Sequence, residues 1–503
     1  MDDNSKHYKL NLFSQYALTF VTSILGFFSA PISLNYWKVE QFGIWAIITS
    51  FAAYFAISGL GVDTAAGILM TKNNSAIIKK QIFRKSLTII VSTTSIFIFA
   101  IIIINAIQPN WIFFLGKMDK ELEPIARQTF LIFVLFFIIN VPFGVVNNGF
   151  SAYKKSYINN LINILYSIML FTILLITIYY EFRLPTYALL SGMAALVINL
   201  AKYAIYRKVS KNYSFRGTTR PASTKDHSYR TILSTGIRLS LYGMALLIPT
   251  SISNLIISNS ISVGSVTPYQ LTYKLFYVAF AFLSAINLSA APLYGKEFSS
   301  NNWKWIVAKY ESFFMLSVLV GGGIWLGGML FLKDIIYIWV GHQGYAGILT
   351  VALLGAWIFV SSLSNVNYII INSLNYTKGI ALISWFEVII FIISSFILVQ
   401  HLGIAGIAAS LLIGSLLVTQ WALPAMLYRK SQKKLRYNPK ILIIILLSFI
   451  VTTPIAYFQQ TRIEDWHSRM FIGIIVFLAY LALCYTLIPK AMKREFMSKL
   501  LSR

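Results

Sequence analysis

Apolar runs of about 20 residues, long enough to cross a hydrocarbon core of ~30 Å as a helix, recur along almost the whole chain. They fall near 12–35, 42–62, 87–107, 128–150, 158–180, 187–206, 232–258, 269–294, 307–332, 347–374, 380–400, 404–427, 441–458 and 469–488. The pattern predicts an all-α polytopic membrane protein with about 14 transmembrane helices. The longest polar break, 206–230, is basic and separates the first six runs from the next six, as a linker between two halves would. The expected division is therefore an N-lobe over 1–206, a cytoplasmic linker over 207–231, a C-lobe over 232–428, and two further helices with a basic tail over 429–503. The first 15 residues lack a short apolar core with a small-residue cleavage site, so the first span is expected to be retained.

Composition agrees: 57% of the 503 residues are hydrophobic and 12% charged, with a mean hydropathy of +0.70. A soluble core cannot hide that much apolar surface. The formal charge of +26 would raise nucleic-acid binding in a soluble protein, but the Lys and Arg residues lie between the apolar runs. Roughly 32 of the 42 occupy one set of alternate loops and about 8 the other, which predicts cytoplasmic N- and C-termini in a bacterial inner membrane. The basic clusters then serve topology and contact with membrane lipids, with no nucleic-acid partner. Cys484 is the single cysteine, which excludes an intramolecular disulfide and a Cys-based metal site. Walker-type, H-E-x-x-H and metal-ligand spacings are missing and the His residues are scattered. No cofactor is expected beyond a coupling H⁺ or Na⁺, and neither an ATP-driven pump nor a soluble-type enzyme fits.

The halves echo each other at an offset of 225 residues, where Asn140-Val141 falls on Asn365-Val366 and Asn147-Asn148 on Asn372-Ser373. Parallel repeats of this kind bind substrate between the halves. Polar stripes at helical spacing mark faces turned toward a cavity or another helix: Asn11, Gln15, Thr19, Thr22, Gly26, Ser29 and Ser33 in the first span, and Ser361, Asn365, Tyr368, Asn372 and Asn375 in the tenth. Arg238 and Lys274 each sit about two turns inside a span, where a cation is costly unless it meets an anion or water. Tyr242 lies one turn beyond Arg238, and Gln270 and Tyr277 flank Lys274. A cation with donors and rings suits a phosphate joined to a sugar. Snorkelling to the membrane surface is the alternative for both cations. Asp63, Glu311 and Glu387 are the intramembrane acids that could carry a coupling ion, Glu387 being the deepest. Gly323 and Gly327 form a G-x-x-x-G packing motif.

Local sequences add a resemblance. Glu40-Gln41-Phe42-Gly43-Ile44-Trp45 and Gly59-Leu60-Gly61 bracket the second span, and Ala291-Pro292-Leu293-Tyr294 closes the eighth. The stretch from Leu402 to Ser410 opens the twelfth. In their order along a fourteen-span chain with a basic mid-chain linker, these resemble the Wzx-type O-antigen flippases of the multidrug/oligosaccharidyl-lipid/polysaccharide (MOP) exporter superfamily. The resemblance implies two six-helix lobes related by a pseudo-two-fold axis, alternating access, and a substrate of undecaprenyl-pyrophosphate carrying an oligosaccharide. It also implies a cation-lined cavity, onto which Arg238 and Lys274 would map, and partners among other polysaccharide-assembly proteins. Two readings stand beside it. An ion-coupled drug or cation exporter should place a deep carboxylate in its first lobe, but the first span has no Asp or Glu. A membrane polysaccharide polymerase or acyltransferase should carry a large outward loop or a deep His/Asp constellation, but His342 and His401 fall at predicted outward edges.

Overall fold

The computed structural model describes residues 3–73, 75–107, 114–214, 228–288, 290–374, 379–435 and 439–488. The centre of the linker (215–227), Asn375, Lys378 and the basic tail from 489 onward lie outside the described residues. All fourteen predicted runs fall on helix, and twelve stretches among the described residues are long and apolar enough to cross a membrane. The difference has two sources. The first two runs share one helix, α1 (Asp3–Phe55), broken only where Lys38 takes φ 58°, and the helix over the run 441–458 stands outside the twelve. Large apolar side chains point outward throughout, such as Phe13 (75% exposed) and Ile96 (67% exposed). In water each would cost about 1.5–3 kcal/mol relative to burial, so the solvent for this surface is lipid.

The helices form two compact units, Met1–Thr267 and Pro268–Arg503. The first contains α1, α2 (Val62–Thr71), α3 (Ala76–Ile107), α4 (Glu123–Asn140), α5 (Gly144–Ala152), α6 (Ser156–Tyr179), α7 (Leu184–Ser214) and α8 (Tyr229–Ser260). Pro142 lacks an N–H and restricts the residue before it, which ends α4 at Asn140 and leaves a 3₁₀ turn before α5. Although α8 follows the linker, it packs on α1, α2 and α3. Gly61, at φ 62°, opens α2, and a Cβ there would lie 2.4 Å from the Gly236 carbonyl on α8. The Gly-Leu-Gly sequence is thus needed for both a left-handed turn and a close helix crossing. Beyond the other end of α8, Lys117 donates its N–H to Ser258 O (2.9 Å) and accepts from Val263 N (3.0 Å). Packing therefore puts the seventh span with the first six, a different division from the linker-based one.

The second unit contains α9 (Val266–Leu288, with its first two residues in the first unit), α10 (Ala291–Ser299), α11 (Trp303–Val340), α12 (Ile348–Ser373) and α13 (Ile380–Leu402). It continues through α14 (Ile404–Gly414), a π-helical turn over Ser415–Thr419, α15 (Gln420–Lys430), α16 (Pro439–Arg462) and α17 (Trp466–Leu487). The G-x-x-x-G face of α11 receives aromatic rings from α17: Cβ atoms on Gly323 and Gly327 would each lie 3.5 Å from a ring carbon, of Tyr480 and Phe477 respectively. The end of α17 is fixed by charge. Asp334 of α11, 3% exposed, pairs with the Arg469 guanidinium, which also donates to the carbonyls of Ile463 (2.9 Å) and Glu464 (2.8 Å). Gln460 of α16 donates to Leu330 O at 2.6 Å.

Asp465 caps α17, accepting from the Ser468 hydroxyl (2.7 Å), the Ser468 N–H (2.8 Å) and His467. These bonds, the Ser468 hydroxyl first, hold its carboxyl below the usual carboxylate range. A depressed folded pKa makes the cap's contribution complete above about 4, the unfolded Asp value, and lost only as pH falls through the lower folded value.

Replacing Asp334 by Ala strands a buried guanidinium, a change that costs about 3–5 kcal/mol in buried pairs. The variant should melt well below wild type in detergent, whereas the apolar double replacement Asp334→Leu/Arg469→Met should recover most of the loss. Equal melting of wild type and Asp334→Ala would show that the pair does not hold α17.

Candidate functional site

Inside the first unit, α4, α5, α6 and α7 enclose a cavity of about 320 Å³. Its space comes from a stripe of small residues on α7, Ala188, Ser191, Gly192 and Ala195, whose helical spacing points them the same way. A Cβ on Gly192 would lie 2.4 Å from the Phe136 ring, so that wall sits against bare backbone. Further along the same α7 stripe come Asn199 and Lys202. Lys202 is 4% exposed. Its ammonium donates to Asn163 Oδ1 (2.7 Å) and Asn147 Oδ1 (3.2 Å). Asn199 donates to Asn140 Oδ1 (2.7 Å), and Asn140 donates in turn to Phe136 O (2.7 Å). Amide oxygens satisfy hydrogen bonds but carry no net charge, and among the described residues lining the cavity none is Asp or Glu. The site therefore presents a desolvated positive charge among neutral amides, with Phe133, Phe137 and Tyr166 supplying ring surface.

A second hollow of about 410 Å³ shares Asn163 and Tyr166 with the first and is lined by Gln15, Leu18, Thr19, Thr22 and Ser167. The polar stripe of the first span thus divides. Gln15, Thr19 and Thr22 face the hollow. Asn11 instead accepts from Tyr157 N (2.8 Å), and Ser14 accepts from Asn160 Nδ2 (3.0 Å), joining α1 to α6.

The other predicted residues are dispersed. Arg238 is exposed on α8, its Nε donating to Ser234 O at 3.3 Å; Tyr242 follows one turn on, partly buried. Asp63 sits in the first turn of α2, where an acid complements the helix end, and accepts from Asn148 Nδ2 at 3.2 Å. In the second unit, Lys274 is partly buried on α9 between Gln270 and Tyr277. Tyr269, Tyr273 and Tyr277 stack in succession with centroids 6.2 and 5.6 Å apart, and Trp357 of α12 stacks on Tyr273 at 6.1 Å. Asn365 works between helices, donating to Ser284 Oγ (3.1 Å) and accepting from Asn287 (3.5 Å). Asn372 is exposed at the end of α12, and Glu311 is exposed on α11. Glu387 of α13 accepts from the Ser415 hydroxyl. Ser415 is the first residue of the π-helical turn, an irregularity frequent at functional sites.

Asn140 and Asn147 are therefore brought together on one cavity, Asn140 bonded to Asn199 and Asn147 to Lys202, a lysine that in the linear chain belongs with the basic residues of the cytoplasmic side. Lys202 lies 18 residues into α7, about 27 Å at 1.5 Å per residue, near the end of the hydrocarbon by length alone. The signal that could have separated it from the loop lysines is its position on the Ala-Ser-Gly-Ala-Asn stripe.

These helices superpose on solved transporters along nearly their whole length. A structure described as "Lipid II flippase MurJ, inward closed conformation" matches with a TM-score of 0.70 at 14% identity, over 94% of this chain and 98% of the other. An inward-facing multidrug resistance MATE family transporter of the MOP superfamily matches at 0.65 and 13%, over 84% and 98%. The fold is that of the MOP superfamily. Within that fold, a Pyrococcus furiosus MOP transporter described by a binding pocket of reverse polarity matches at 0.56 and 15%, over 86% and 95%. In sequence, the Salmonella typhi protein named "Putative O-antigen transporter" is 21% identical over 407 residues, covering 78% of this chain and 90% of the relative, a distant homologue of it. No family model matches the chain. The matched proteins are all named as transporters or flippases.

If the shared cavity admits water, Thr22→Cys and Asn199→Cys in a Cys484→Ser background should react with a small charged thiol reagent, while Asn160→Cys, 6% exposed between α1 and α6, should not. Labelling of all three at one rate, or of none, would contradict a polar cavity at this position.

Proposed function

We propose that this chain is a flippase that moves a polyprenyl-pyrophosphate-linked oligosaccharide across the bacterial inner membrane by alternating access between two helical lobes, with both termini cytoplasmic. The observation that carries this reading is Lys202: a buried cation with amide partners, in a cavity whose lining includes no acid. A cation desolvated inside a span is costly unless it meets an anion or water, and the amide oxygens around Lys202 carry no net charge, so an anion entering the cavity would be stabilised there. The substrate's pyrophosphate is that anion. The names of the Salmonella typhi relative and of the lipid II flippase support the substrate class, and the reversed-polarity transporter shows that a MOP fold accommodates different pocket charges.

In this mechanism the sugar and phosphate head enters from the cytoplasmic side while the polyprenyl tail stays in lipid. In the first unit Lys202 offsets a desolvated phosphate and Arg238 attracts the head at the protein surface; in the second unit Lys274 offers a cation, and Tyr273, Tyr277 and Trp357 offer ring faces to sugar. Rocking of the lobes then exposes the head outside, and no covalent bond changes. Glu387, hydrogen-bonded beside the π-helical turn, is the coupling residue in this reading; its protonation would release Ser415 and let α14 and α15 shift. Asp63 and Glu311 are less suited, one bound to Asn148 at a helix start and the other exposed. The drug-exporter reading needs a carboxylate in the first-unit cavity, where this chain carries Lys202.

Proteoliposomes containing the wild type should move a labelled undecaprenyl-pyrophosphate oligosaccharide outward. Lys202→Met and Lys274→Met should each reduce the rate at least about tenfold, equivalent to ~1.4 kcal/mol. Glu387→Gln should flatten the dependence on an imposed H⁺ or Na⁺ gradient. A wild type that ignores this substrate under both gradients but extrudes a cationic dye would replace the flippase with the exporter.

A further inference from the structure

A third hollow, of about 340 Å³, shares no lining residue with the Lys202 cavity and lies between the start of α3 and the end of α7. Four cations surround it: Lys80 and Arg84 from α3, Arg207 and Lys211 from α7. Among the described residues, none that lines it is Asp or Glu and none of the four cations has a carboxylate partner. Its aromatic side is built rather than incidental. Tyr206, 4% exposed, stacks on Phe83 at 4.8 Å and meets Tyr153 at 6.0 Å, and a Cβ on Gly149 would lie 2.7 Å from the Tyr206 ring. Arg207 stands over the Tyr203 ring at 6.0 Å. Beneath it, a fifth cation, Lys79, is buried at 8% exposure, donates to Ala152 O (2.7 Å) and stands over Tyr153 at 4.8 Å.

Helix length sets the depth of this hollow. α3 has 32 residues, about 48 Å at 1.5 Å per residue, against a hydrocarbon thickness of ~30 Å. Its residues from Ser86 to Ile107 carry no charge and suffice to span, so Lys80, Arg84 and Lys85 stand at the headgroup level. The same holds for Arg207 and Lys211, which end the apolar run of α7. Four like charges around one space repel, and an anion placed there relieves that repulsion while accepting charge-assisted hydrogen bonds. The tyrosines supply the amphipathic surface found where lipid meets water.

We propose that this hollow is a phosphate-headgroup site, holding the phosphate of a lipid in the leaflet on the basic side of the protein. Two lipids offer that group, an anionic phospholipid of the bilayer and the polyprenyl pyrophosphate of the substrate class. The site does not depend on the transport reading, since it rests only on α3, α5 and α7.

Native mass spectrometry of the detergent-purified full chain, titrated separately with phosphatidylglycerol, phosphatidylethanolamine and undecaprenyl pyrophosphate, tests it without any transport measurement. Wild type should retain an anionic lipid about tenfold or more over phosphatidylethanolamine, and Arg84→Gln/Arg207→Gln should abolish that preference. Because both arginines are exposed, the fold should survive; Lys80→Gln/Lys211→Gln provides a second pair, and Lys304→Gln/Lys430→Gln, equally basic but in the second unit, should leave retention unchanged. Preference for phosphatidylglycerol supports the site with the bilayer as its source, and preference for undecaprenyl pyrophosphate alone supports it with the substrate as its source. Equal retention of all three lipids by wild type, or an unchanged preference in both pocket pairs, overturns the proposal.

Discussion

Hydrocarbon offers no hydrogen bonds, and the whole structure follows from where the chain is allowed to keep a polar group inside it. Backbone amides close onto themselves in helices, so the chain is helical wherever it is apolar. Polar side chains are then admitted on three terms. Ser and Thr bond back to the preceding turn, as Thr22 does to Leu18 O at 2.8 Å. Asn and Gln bridge helices, as Asn365 and Asn254 do. Charges pair, as Asp334 does with Arg469, or stand over a cavity.

That last distinction separates a charge balanced within the fold from one that is not. Asp334 and Arg469 neutralise each other at the junction of α11 and α17, and nothing else needs to approach them. Lys202 is equally buried but meets only neutral amides, so its charge is unspent within its own surroundings. The same contrast holds among the acids: Asp63 and Asp465 are held at helix starts by local donors, while Glu387 meets one hydroxyl beside a helix whose hydrogen bonding has slipped to the π pattern. A charge balanced locally stabilises a packing arrangement, whereas one left unbalanced responds to whatever enters.

Helix breaks show a comparable economy. Pro142 interrupts the fourth span where Asn140 turns toward Asn199, and the space left between α4 and α7 is where the cavity lies. The corresponding stretch of the tenth span has no proline and runs through Asn365 as continuous helix, with Asn365 taken up by Ser284 and Asn287. The sequence echo between the two halves therefore repeats similar residues without giving them similar hydrogen-bond partners.

The run lengths, the charge alternation and the G-x-x-x-G motif were legible in the linear chain because hydrophobicity and helical period are local properties. So was the lipid-exposed surface, and so were Asn140 and Asn147 as polar residues in an unlikely setting. Which unit α8 joins was not legible, since its crossing with α2 depends on Gly61 and Gly236 meeting across more than a hundred residues. Nor was the burial of Lys202. Seen in sequence it is one of many basic residues near the end of a span, and only the tertiary structure, by folding α4, α5 and α6 around it and excluding every carboxylate, makes it a buried charge. Arg238 shows the reverse, a cation deep in its apolar run that packing leaves exposed. Burial is a property of neighbours, and a chain read one residue at a time does not contain its neighbours in space.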